Sequence, residues 1–311
     1  MEKRDLLQLP VFQLRGGAKQ DRQRFAEQLA EVMESRSFRT ILLGPGDCSS
    51  PQDLLGLLKT YDLVLAVEDL QRPVQQIVFD EQLQTDPRTC YPAISGSKGE
   101  VEKCCLELVR RLNILLEKRP VWACVLIGGK SSRMGRPKHL IRSENGKTWL
   151  ENSIDLLRPL VDGVVIVGRG DVPDSLNDVP RLPDVPGVVG PLAGILSACR
   201  WQPLVSWLLL ACDMPLINKD AVSWLLEERR AEDWGVVPIL GTSERYEPLF
   251  AYYDYRAGAL FEKQVLNGNL RISKVAAEDK IFNPLVPAQL RQCWENVNNP
   301  EQLKDTLTTA P

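Results

Sequence analysis

The residues best suited to chemistry lie in one stretch, Val125-Leu-Ile-Gly-Gly-Lys-Ser-Ser-Arg-Met-Gly-Arg-Pro-Lys138. A hydrophobic run ends abruptly at Gly128-Gly129, and adjacent glycines let a backbone approach a ligand closely because no Cβ stands in the way. Successive backbone N–H groups in such a loop can form an anion-binding concavity, to which Arg133 and Lys138 add full positive charges. The phosphates of a nucleoside triphosphate require this combination of amides and cations.

Two aspartates are candidates to complete such a site. In Leu208-Leu-Leu-Ala-Cys-Asp-Met-Pro215, Asp213 directly follows the apolar run 208–212. A carboxylate is costly to desolvate there unless it is paired or binds a metal. Mg²⁺ takes one or two carboxylates together with phosphate oxygens, which makes Asp213 a candidate ligand. The alternative is an aspartate in a turn or at a helix N-cap, which Pro215 favours. Asp184, in a proline-rich stretch, is a candidate second acid or a contact to the base or ribose.

The elements that must position these residues are strands alternating with helices in the second part of the chain. Apolar runs predict strands at 123–127, 164–167, 208–211, 235–238 and 249–252, and helical spacing predicts helices at 148–157, 192–200 and 219–230. Ligands of open α/β sheets bind at the carboxyl ends of strands. The glycine loop, Asp184 and Asp213 follow the first, second and third of these strands in turn, as such a site requires.

The first part of the chain has a similar alternation of its own. Strands are predicted at 10–14, 40–43, 63–67 and 75–79, helices at 20–34, 52–59 and 99–117, and a turn-rich loop at 86–98. Strands that alternate with helices indicate an α/β fold with a mainly parallel sheet. We therefore predict a smaller α/β domain at 1–118 and a second α/β domain at 119–311.

Composition is that of a globular protein without a membrane or nucleic-acid signature. The chain has 311 residues, 44% of them hydrophobic and 25% charged, with a net charge of −3. No apolar run approaches the length of a bilayer span, and no hydrophobic segment of a secretory signal follows the N-terminus. With eight cysteines, no C-x-x-C and one histidine, free thiols in a cytoplasmic protein are expected rather than a zinc site.

Five separate pieces of the sequence carry a family resemblance. They are Leu126-Ile-Gly-Gly-Lys-Ser-Ser-Arg-Met-Gly135 with Lys138, Gly190-Pro-Leu-Ala-Gly194, Ala211-Cys-Asp-Met-Pro215, Glu247-Pro-Leu-Phe250 and Asn296-Val-Asn-Asn-Pro-Glu-Gln-Leu303. Through them the chain, from roughly residue 121 to roughly residue 305, resembles the molybdenum cofactor guanylyltransferases. The resemblance implies a Rossmann-like nucleotidyltransferase domain with a mainly parallel sheet.

The resemblance also implies a reaction and a set of roles. The terminal phosphate of molybdenum-bound molybdopterin would attack the α-phosphorus of GTP, releasing pyrophosphate and forming the guanine dinucleotide cofactor. The implied nucleotide-binding residues are Leu126, Ile127, Gly128, Gly129, Lys138, Asp184 and Asp213. The implied catalytic residues are Arg133, Lys138 and Asp213, with Asp213 holding Mg²⁺, and the implied acceptor-side residues are Gly190, Asn296 and Asn298. Molybdoenzymes or their chaperones would receive the product, and neither nucleic acid nor membrane is an expected partner.

Departures from the family pattern leave alternatives open. Ile127 stands where alanine is frequent, and Val167-Gly168-Arg169 stands where an asparagine often contacts the nucleotide, so that contact is either lost or made by Arg169. A cytidylyltransferase acting on the same cofactor is therefore the nearest rival. A non-catalytic cofactor chaperone or docking protein is a second one. Asn-Asn-Pro also favours a turn, which is the alternative explanation for Asn296 and Asn298.

Two further patterns are expected to be structural. Gly146-Lys147-Thr148 resembles the end of a P-loop but lacks the upstream glycine of that motif, and we interpret it as the turn that opens a helix. His139, the sole histidine, is expected to serve packing or solvent contact.

The first domain faintly resembles the molybdopterin-guanine dinucleotide biosynthesis protein B, a GTP-binding adaptor. Its loop, Leu14-Arg-Gly-Gly-Ala-Lys-Gln-Asp21, follows the first predicted strand, where a P-loop would lie. The glycine spacing is wrong, and no Lys-Ser/Thr pair closes the loop. We hypothesise a degenerate adaptor domain that has lost triphosphate binding.

Overall fold

The chain forms two compact units. The structure is a computed structural model and describes residues 9–44, 46–48, 50–70, 74–78, 89–92, 97–128, 137–241 and 245–297. The N-terminal unit is Met1–Arg119 with Arg230–Glu232, and the C-terminal unit is Pro120–Arg229 with Asp233–Pro311. Within the described ranges, no helix is long and apolar enough to span a lipid bilayer. The cysteines whose side chains are described are free thiols, most of them buried.

The N-terminal unit is a parallel sheet with three helices. Its elements are β1 (Val11–Arg15), α1 (Lys19–Ser35), β2 (Thr40–Leu43), α2 (Pro51–Leu57), β3 (Leu63–Ala66), β4 (Gln75–Val78), β5 (Thr89–Pro92) and α3 (Lys98–Glu117). The strand order is β2-β3-β1-β4-β5, and every pairing is parallel. The apolar sides of α1 and α3 pack against the sheet, burying Phe12, Phe25, Leu29 and Leu108.

The C-terminal unit contains the larger sheet. Its elements are β6 (Val121–Leu126), α4 (Trp149–Leu157), β7 (Gly163–Val167), β8 (Arg181–Leu182), α5 (Pro191–Trp201), β9 (Ser206–Ala211), α6 (Lys219–Glu227), β10 (Gly235–Val236), β11 (Ile239–Leu240), β12 (Arg245–Tyr246), β13 (Phe250–Tyr253), α7 (Gly258–Leu266) and β14 (Ile281–Phe282). The seven-stranded order is β14-β10-β13-β9-β6-β7-β8, and β11 and β12 form a separate two-stranded ribbon. Only β13 runs against its neighbours in the large sheet, because its pairings with β9 and β10 are antiparallel while the other pairings are parallel.

Both faces of this sheet are covered, which explains the nearly continuous apolar strands. Along β6, Ala123 and Val125 belong to the core shared with α4 and α6, whereas Cys124 belongs to the core shared with α5 and α7. Successive side chains of a strand point to opposite faces, so a strand between two helical layers must be apolar at every position.

Helix starts are encoded locally at several positions. Thr148 begins α4 with a capping box, in which its side chain accepts from the Glu151 N–H and the Glu151 carboxylate accepts from the Thr148 N–H. Ser50 and Ser97 begin α2 and α3 in the same way, and Asn218 caps α6. Gly146-Lys147-Thr148 is therefore a turn and a helix cap, as the sequence predicted.

The predicted fold class, α/β with mainly parallel sheets, is confirmed, and most predicted elements coincide with observed ones. The loop predicted at 86–98 is wrong in part, because β5 pairs with β4 within it and α3 begins at its end. Helix α7 was not predicted: its own N-cap residue, Ala257, makes no side-chain capping bond, and the Asp254 cap belongs to the 3₁₀ turn that runs into the helix. The polar sequence from Gln302 onward also predicts a helical tail, and this segment lies outside the described residues.

Candidate active site

The end of β6 forms the centre of the candidate site. The Ile127 N–H donates to the Val167 carbonyl at 2.8 Å, and the Cys212 N–H donates to the Leu126 carbonyl at 3.2 Å. The ends of β7 and β9 are thereby held on either side of the β6 end. Gly128 leaves β6 in a left-handed conformation, with φ at +109°. Gly129 and Arg133, which the sequence also predicted here, lie outside the described residues.

Close backbone packing joins the ends of β6 and β7. Gly168 has a φ of +112°, and a Cβ built on it would lie 2.0 Å from the Ile127 carbonyl oxygen. A Cβ on Gly128 would lie 3.3 Å from the carbonyl oxygen of Arg169. Position 168 thus requires glycine, both for its left-handed backbone conformation and because a side chain would collide with Ile127. No local pattern around Gly168 predicted this requirement, because the clashing oxygen belongs to a different strand.

A lysine–aspartate ion pair lies beside this strand end. Lys138 Nζ is 2.8 Å from Asp213 Oδ2, and the two side chains are 15% and 23% exposed. Lys138 starts a short 3₁₀ helix after Pro137, and Asp213 follows β9. The structure therefore brings together two of the predicted catalytic residues, which are 75 positions apart in the sequence.

Asp184 lies on the other side of the β6 end, near the start of α5. A Cβ built on Gly194 would be 3.5 Å from Asp184 Oδ1, 3.0 Å from Leu126 Cδ2 and 2.9 Å from Val167 Cγ1. Gly194 therefore leaves room for α5 to approach β6 and β7 closely. The Gly-Pro-Leu-Ala-Gly segment thus places Asp184 next to Leu126, one of the predicted nucleotide-binding residues.

The predicted acceptor-side residues are only partly brought together. The Val297 N–H donates to the Asp213 carbonyl at 2.9 Å, so Asn296 lies next to the end of β9. Gly190 is the N-cap of α5, with φ at +76° and no side-chain cap. Among the described residues, Asn296 lies next to Asp213, whereas Gly190 belongs to the start of α5. No contact in the described part of the chain joins Asn296 to Gly190. Asn298 lies outside the described residues.

Metal binding at this place would depend on Asp213. The described residues contain no group of three or more His, Cys, Asp or Glu side chains that could hold a metal ion. Cys212, adjacent to Asp213, is not a useful ligand or nucleophile at neutral pH, because burial, followed by the charge of Asp213, raises the pKa of its thiol to about 12. Most ligands of a bound Mg²⁺ would therefore have to be oxygens of the substrate and water.

His139 is a packing residue next to Lys138. It is buried, and its Nε2 donates to the Asp171 carbonyl at 2.9 Å. A Cβ on Gly170 would lie 2.9 Å from His139 Cε1, so the ring packs directly on the segment after β7. Burial lowers the pKa of His139, which favours the neutral ring. The ring thereby fixes the backbone next to Lys138.

The glycine loop of the N-terminal unit is arranged differently. Arg22 Nη1 donates to the carbonyl oxygens of Gly16 at 2.9 Å and Gly17 at 2.8 Å, and Arg22 Nε donates to the Val67 carbonyl at 3.2 Å. This loop therefore presents carbonyl oxygens to a cation of its own chain. A phosphate-binding loop presents amide N–H groups instead.

The C-terminal unit is similar to known proteins. The profile of the MobA-like NTP transferase domain matches residues 123–279. A Bacillus cereus protein named "probable molybdenum cofactor guanylyltransferase" is 34% identical over 141 residues, which cover 43% of this chain and 69% of that protein. A Synechocystis "molybdenum cofactor biosynthesis bifunctional protein" is 35% identical over 119 residues, which cover 38% of this chain and 34% of that protein.

A solved structure is similar as well. Molybdopterin-guanine dinucleotide biosynthesis protein A from Archaeoglobus fulgidus superposes with a TM-score of 0.51 and 26% identity, covering 60% of this chain and 97% of that one. The region matched by the domain profile contains Lys138, Asp184 and Asp213, so the similarity includes the residues that meet at the β6 end.

Proposed function

Since the chain belongs to the MobA-like NTP transferase family and is a nucleotidyltransferase, we propose that it transfers GMP from GTP to the terminal phosphate of molybdenum-bound molybdopterin. An oxygen of the acceptor phosphate forms a bond to the α-phosphorus of GTP. The bond from the α-phosphorus to the oxygen of the β-phosphate breaks, and pyrophosphate leaves with the electron pair. The product is a molybdopterin guanine dinucleotide. Similarity to proteins named molybdenum cofactor guanylyltransferases supports this choice of substrates.

The Lys138–Asp213 pair beside the Gly128 strand end is the observation that carries the proposal. In transfer between phosphates, catalysis is mostly positioning and electrostatic stabilisation. The backbone at Gly128 leaves room for the nucleotide. Asp184 accepts a hydrogen bond from a hydroxyl or a base N–H of the nucleoside. Lys138, together with Arg133, neutralises charge on the triphosphate and on the leaving pyrophosphate. The acceptor phosphate is largely ionised at neutral pH, since its second pKa is about 6, so no general base is needed.

The Asp213 carboxylate fits Mg²⁺. It is partly exposed, and one of its oxygens already lies 2.8 Å from the cationic nitrogen of Lys138. The carboxylate is therefore placed where it interacts with positive charge. One carboxylate together with phosphate oxygens is a set that Mg²⁺ accepts. When bound, Mg²⁺ supplies a Lewis acid that draws charge from the α-phosphate. Lys138 and a Mg²⁺ ion held by Asp213 would then both neutralise negative charge on the triphosphate.

Arg169 is a candidate contact for a guanine base. Its backbone lies against Gly128, and its side chain is exposed. Guanine offers two adjacent acceptors, N7 and O6, that suit a guanidinium group. A contact from Arg169 would therefore compensate for the asparagine that is missing at the end of β7.

The test is dinucleotide formation by the full chain with GTP and CTP side by side. Purified protein, MgCl₂ and molybdenum-bound molybdopterin are incubated with each nucleotide, and the product is quantified by chromatography. We expect faster turnover of GTP. Faster turnover of CTP would replace the guanylyltransferase with a cytidylyltransferase, and no turnover of either would favour a non-catalytic chaperone or docking protein.

We also propose that the N-terminal unit is an adaptor-like domain without a triphosphate site. The Arg22 contacts to Gly16 and Gly17 support this proposal, because the loop carbonyls already bind an internal cation. The five parallel strands and the position of the loop directly after β1 are consistent with the degenerate P-loop that the sequence predicted.

A further inference from the structure

A buried glutamate lies across the sheet from Asp213. Strand β13 pairs antiparallel with β9 along its whole length, and the ladder continues beyond it, because the Ala211 N–H donates to the Leu249 carbonyl at 2.9 Å. Continuing the same register sets Glu247 opposite Asp213. The Glu247 N–H donates to the Pro238 carbonyl at 3.0 Å, which fixes the backbone there. An acid is thus placed beside the candidate site by strand pairing.

The charge of Glu247 is coupled to the site. The residue is only 4% exposed. Burial raises the pKa of Glu247, Arg245 opposes this rise, and the nearby Asp213 carboxylate adds to it. A buried carboxylate facing another acid is costly unless a cation compensates it. That cation is Arg245.

Arg245 forms an ion pair with Glu247, and most of its side chain is exposed. Its Nε lies 2.7 Å from Glu247 Oε1, and the arginine side chain is 66% exposed while that of the glutamate is 6% exposed. In the part of the chain that the structure describes, the terminal Nη groups of Arg245 have no bonding partner. A guanidinium whose Nε lies in an ion pair with a carboxylate still presents the N–H donors of its two Nη groups, the fork that matches a phosphate.

Sheet order separates this arginine from the nucleotide loop. Strand β9 lies between β6 and β13, so the Gly128 end of β6 is on one side of Asp213 and the Arg245–Glu247 pair is on the other. Asn296, predicted to lie on the acceptor side, is also next to Asp213. Lys138 already serves the nucleotide side. An attacking phosphate would repel the triphosphate unless a second cation compensated its charge.

We propose that Arg245 binds the terminal phosphate of the acceptor and that Glu247 is the positioning residue that orients its guanidinium. The proposal rests on the proposed function and adds the acceptor contact to it.

Equilibrium binding to the full-length chain tests the proposal without requiring turnover. Metal-free molybdopterin and molybdopterin whose terminal phosphate has been removed enzymatically are titrated by fluorescence, and α,β-methylene-GTP is titrated separately. We expect Arg245→Ala to weaken binding of phosphorylated molybdopterin roughly 10- to 150-fold, the range for hydrogen bonds to charged groups. Binding of the dephosphorylated form and of the GTP analogue should stay unchanged. Glu247→Gln should give a smaller loss of affinity for phosphorylated molybdopterin.

Arg200→Ala is the matched control. Arg200 Nε also lies 2.7 Å from a glutamate oxygen, Oε1 of Glu262, but at the far end of α5 from Gly190. This variant should bind all three ligands as the wild type does. Guanidinium ions added to Arg245→Ala should restore part of the lost affinity. They would not do so if the variant were impaired only by a structural defect.

The outcomes separate the two proposals. Equal binding of phosphorylated molybdopterin by wild type and Arg245→Ala, in an enzyme that still makes the dinucleotide, overturns the role of Arg245 alone. Loss of GTP-analogue binding in Arg245→Ala overturns it too, by moving Arg245 to the nucleotide side. A phosphate preference that disappears in Arg245→Ala, in a chain that makes no dinucleotide, supports the arginine and overturns the proposed reaction. No binding of either molybdopterin by the wild type overturns both.

Discussion

The two units contain the same local arrangement after the first strand of their mainly parallel sheets. Each has adjacent glycines, then a lysine, and an acid just beyond a neighbouring strand that pairs with that lysine. The members are Gly16, Gly17, Lys19 and Glu68 in the N-terminal unit, and Gly128, Gly129, Lys138 and Asp213 in the C-terminal unit. Strand β3 neighbours β1 just as β9 neighbours β6. Composition alone therefore does not distinguish the two places.

Burial and the use of cations distinguish them. The side chains of Lys19 and Glu68 are 60% and 36% exposed, compared with 15% and 23% for Lys138 and Asp213. An exposed pair contributes about 0–1 kcal/mol and is screened by salt, whereas charges partly withdrawn from water interact more strongly with a ligand. In the N-terminal unit, Arg22 also occupies the loop carbonyls. This difference supports placing the proposed phosphate site in the C-terminal unit rather than in the N-terminal one.

The largest expected difference between the two units comes from removing the acid of each lysine–acid pair. Asp213→Ala should lower the rate of Mg²⁺-dependent dinucleotide formation by about 1000-fold or more, because metal-derived charge stabilisation is worth several kcal/mol. Glu68→Ala, the matching change in the N-terminal unit, should leave the rate within about twofold. Steady-state rates are the measurement, with circular dichroism to check the fold. Unchanged activity in Asp213→Ala would remove it from the metal role.

The next test counts nucleotide sites. Calorimetric titration of the full chain with GTP and Mg²⁺ should give one site per chain. Lys138→Ala should weaken that site about tenfold or more, since it removes a charge-assisted contact to phosphate, while Lys19→Ala should leave it unchanged. A stoichiometry of two, with one site lost in Lys19→Ala, would mean that the N-terminal loop binds nucleotide after all.

A moderate effect is expected from the close packing at Gly168. Gly168→Ala should lower the free energy of unfolding by about 2–3 kcal/mol, because the new Cβ must occupy strained backbone and also move the Ile127 carbonyl. Gly146→Ala is the control, since Gly146 also has a positive φ, at +78°, but nothing lies within 4 Å of its Cβ position. Urea denaturation of both variants measures the difference. Equal losses would show that backbone conformation alone accounts for the requirement.

The smallest expected effect concerns how the helices after the two loops begin. Helix α1 follows Ala18, which makes no side-chain capping bond, whereas α4 begins with the Thr148–Glu151 capping box. Hydrogen bonds from Ser175, first, and then from Thr148 lower the pKa of Glu151 from 4.5 to about 2. Because the folded-state pKa is the lower one, the stabilisation is present above pH 4.5 and is lost as the pH falls toward 2.

Thermal unfolding across pH measures that contribution. Glu151→Gln should be less stable than the wild type by about 1 kcal/mol at pH 7, and the difference should shrink as the pH falls below 4.5 toward 2. Glu144→Gln, an exposed acid in the preceding turn, should show no such difference. A gap for Glu151→Gln that stays constant down to pH 2 would contradict ionisation of Glu151 as its source.

The sequence could predict features that depend on neighbouring residues. The buried strands β6, β7 and β9 follow from apolar runs, and α4 follows from the spacing of its cap and its apolar residues. Helix α7 starts without a side-chain cap and β5 lies in a turn-rich segment, so neither has such a signal. At the site, Lys138 and Asp213 were predicted by residue type and position after strands. Their roles in binding remain predictions.

Features that depend on pairing between distant segments were out of reach. The steric need for Gly168 arises from the carbonyl of Ile127 on another strand. Glu247 was noted only as the first residue of a family piece, and its burial opposite Asp213 follows from the β9–β13 register. A local pattern contains no information on which strands become neighbours or in which direction they run.

Because β13 runs in the opposite direction, the residues of the candidate site come from two separate parts of the chain. In a parallel strand the residues that follow it reach the ligand edge, but in β13 the residues that precede it do so. The residues proposed for the nucleotide therefore lie from Leu126 to Asp213, and those proposed for the acceptor, apart from Gly190, lie later in the chain, from Arg245 to Asn296. On the proposed roles, exchanging the later segment between relatives would change binding of the phosphate-bearing acceptor more than the choice of nucleotide.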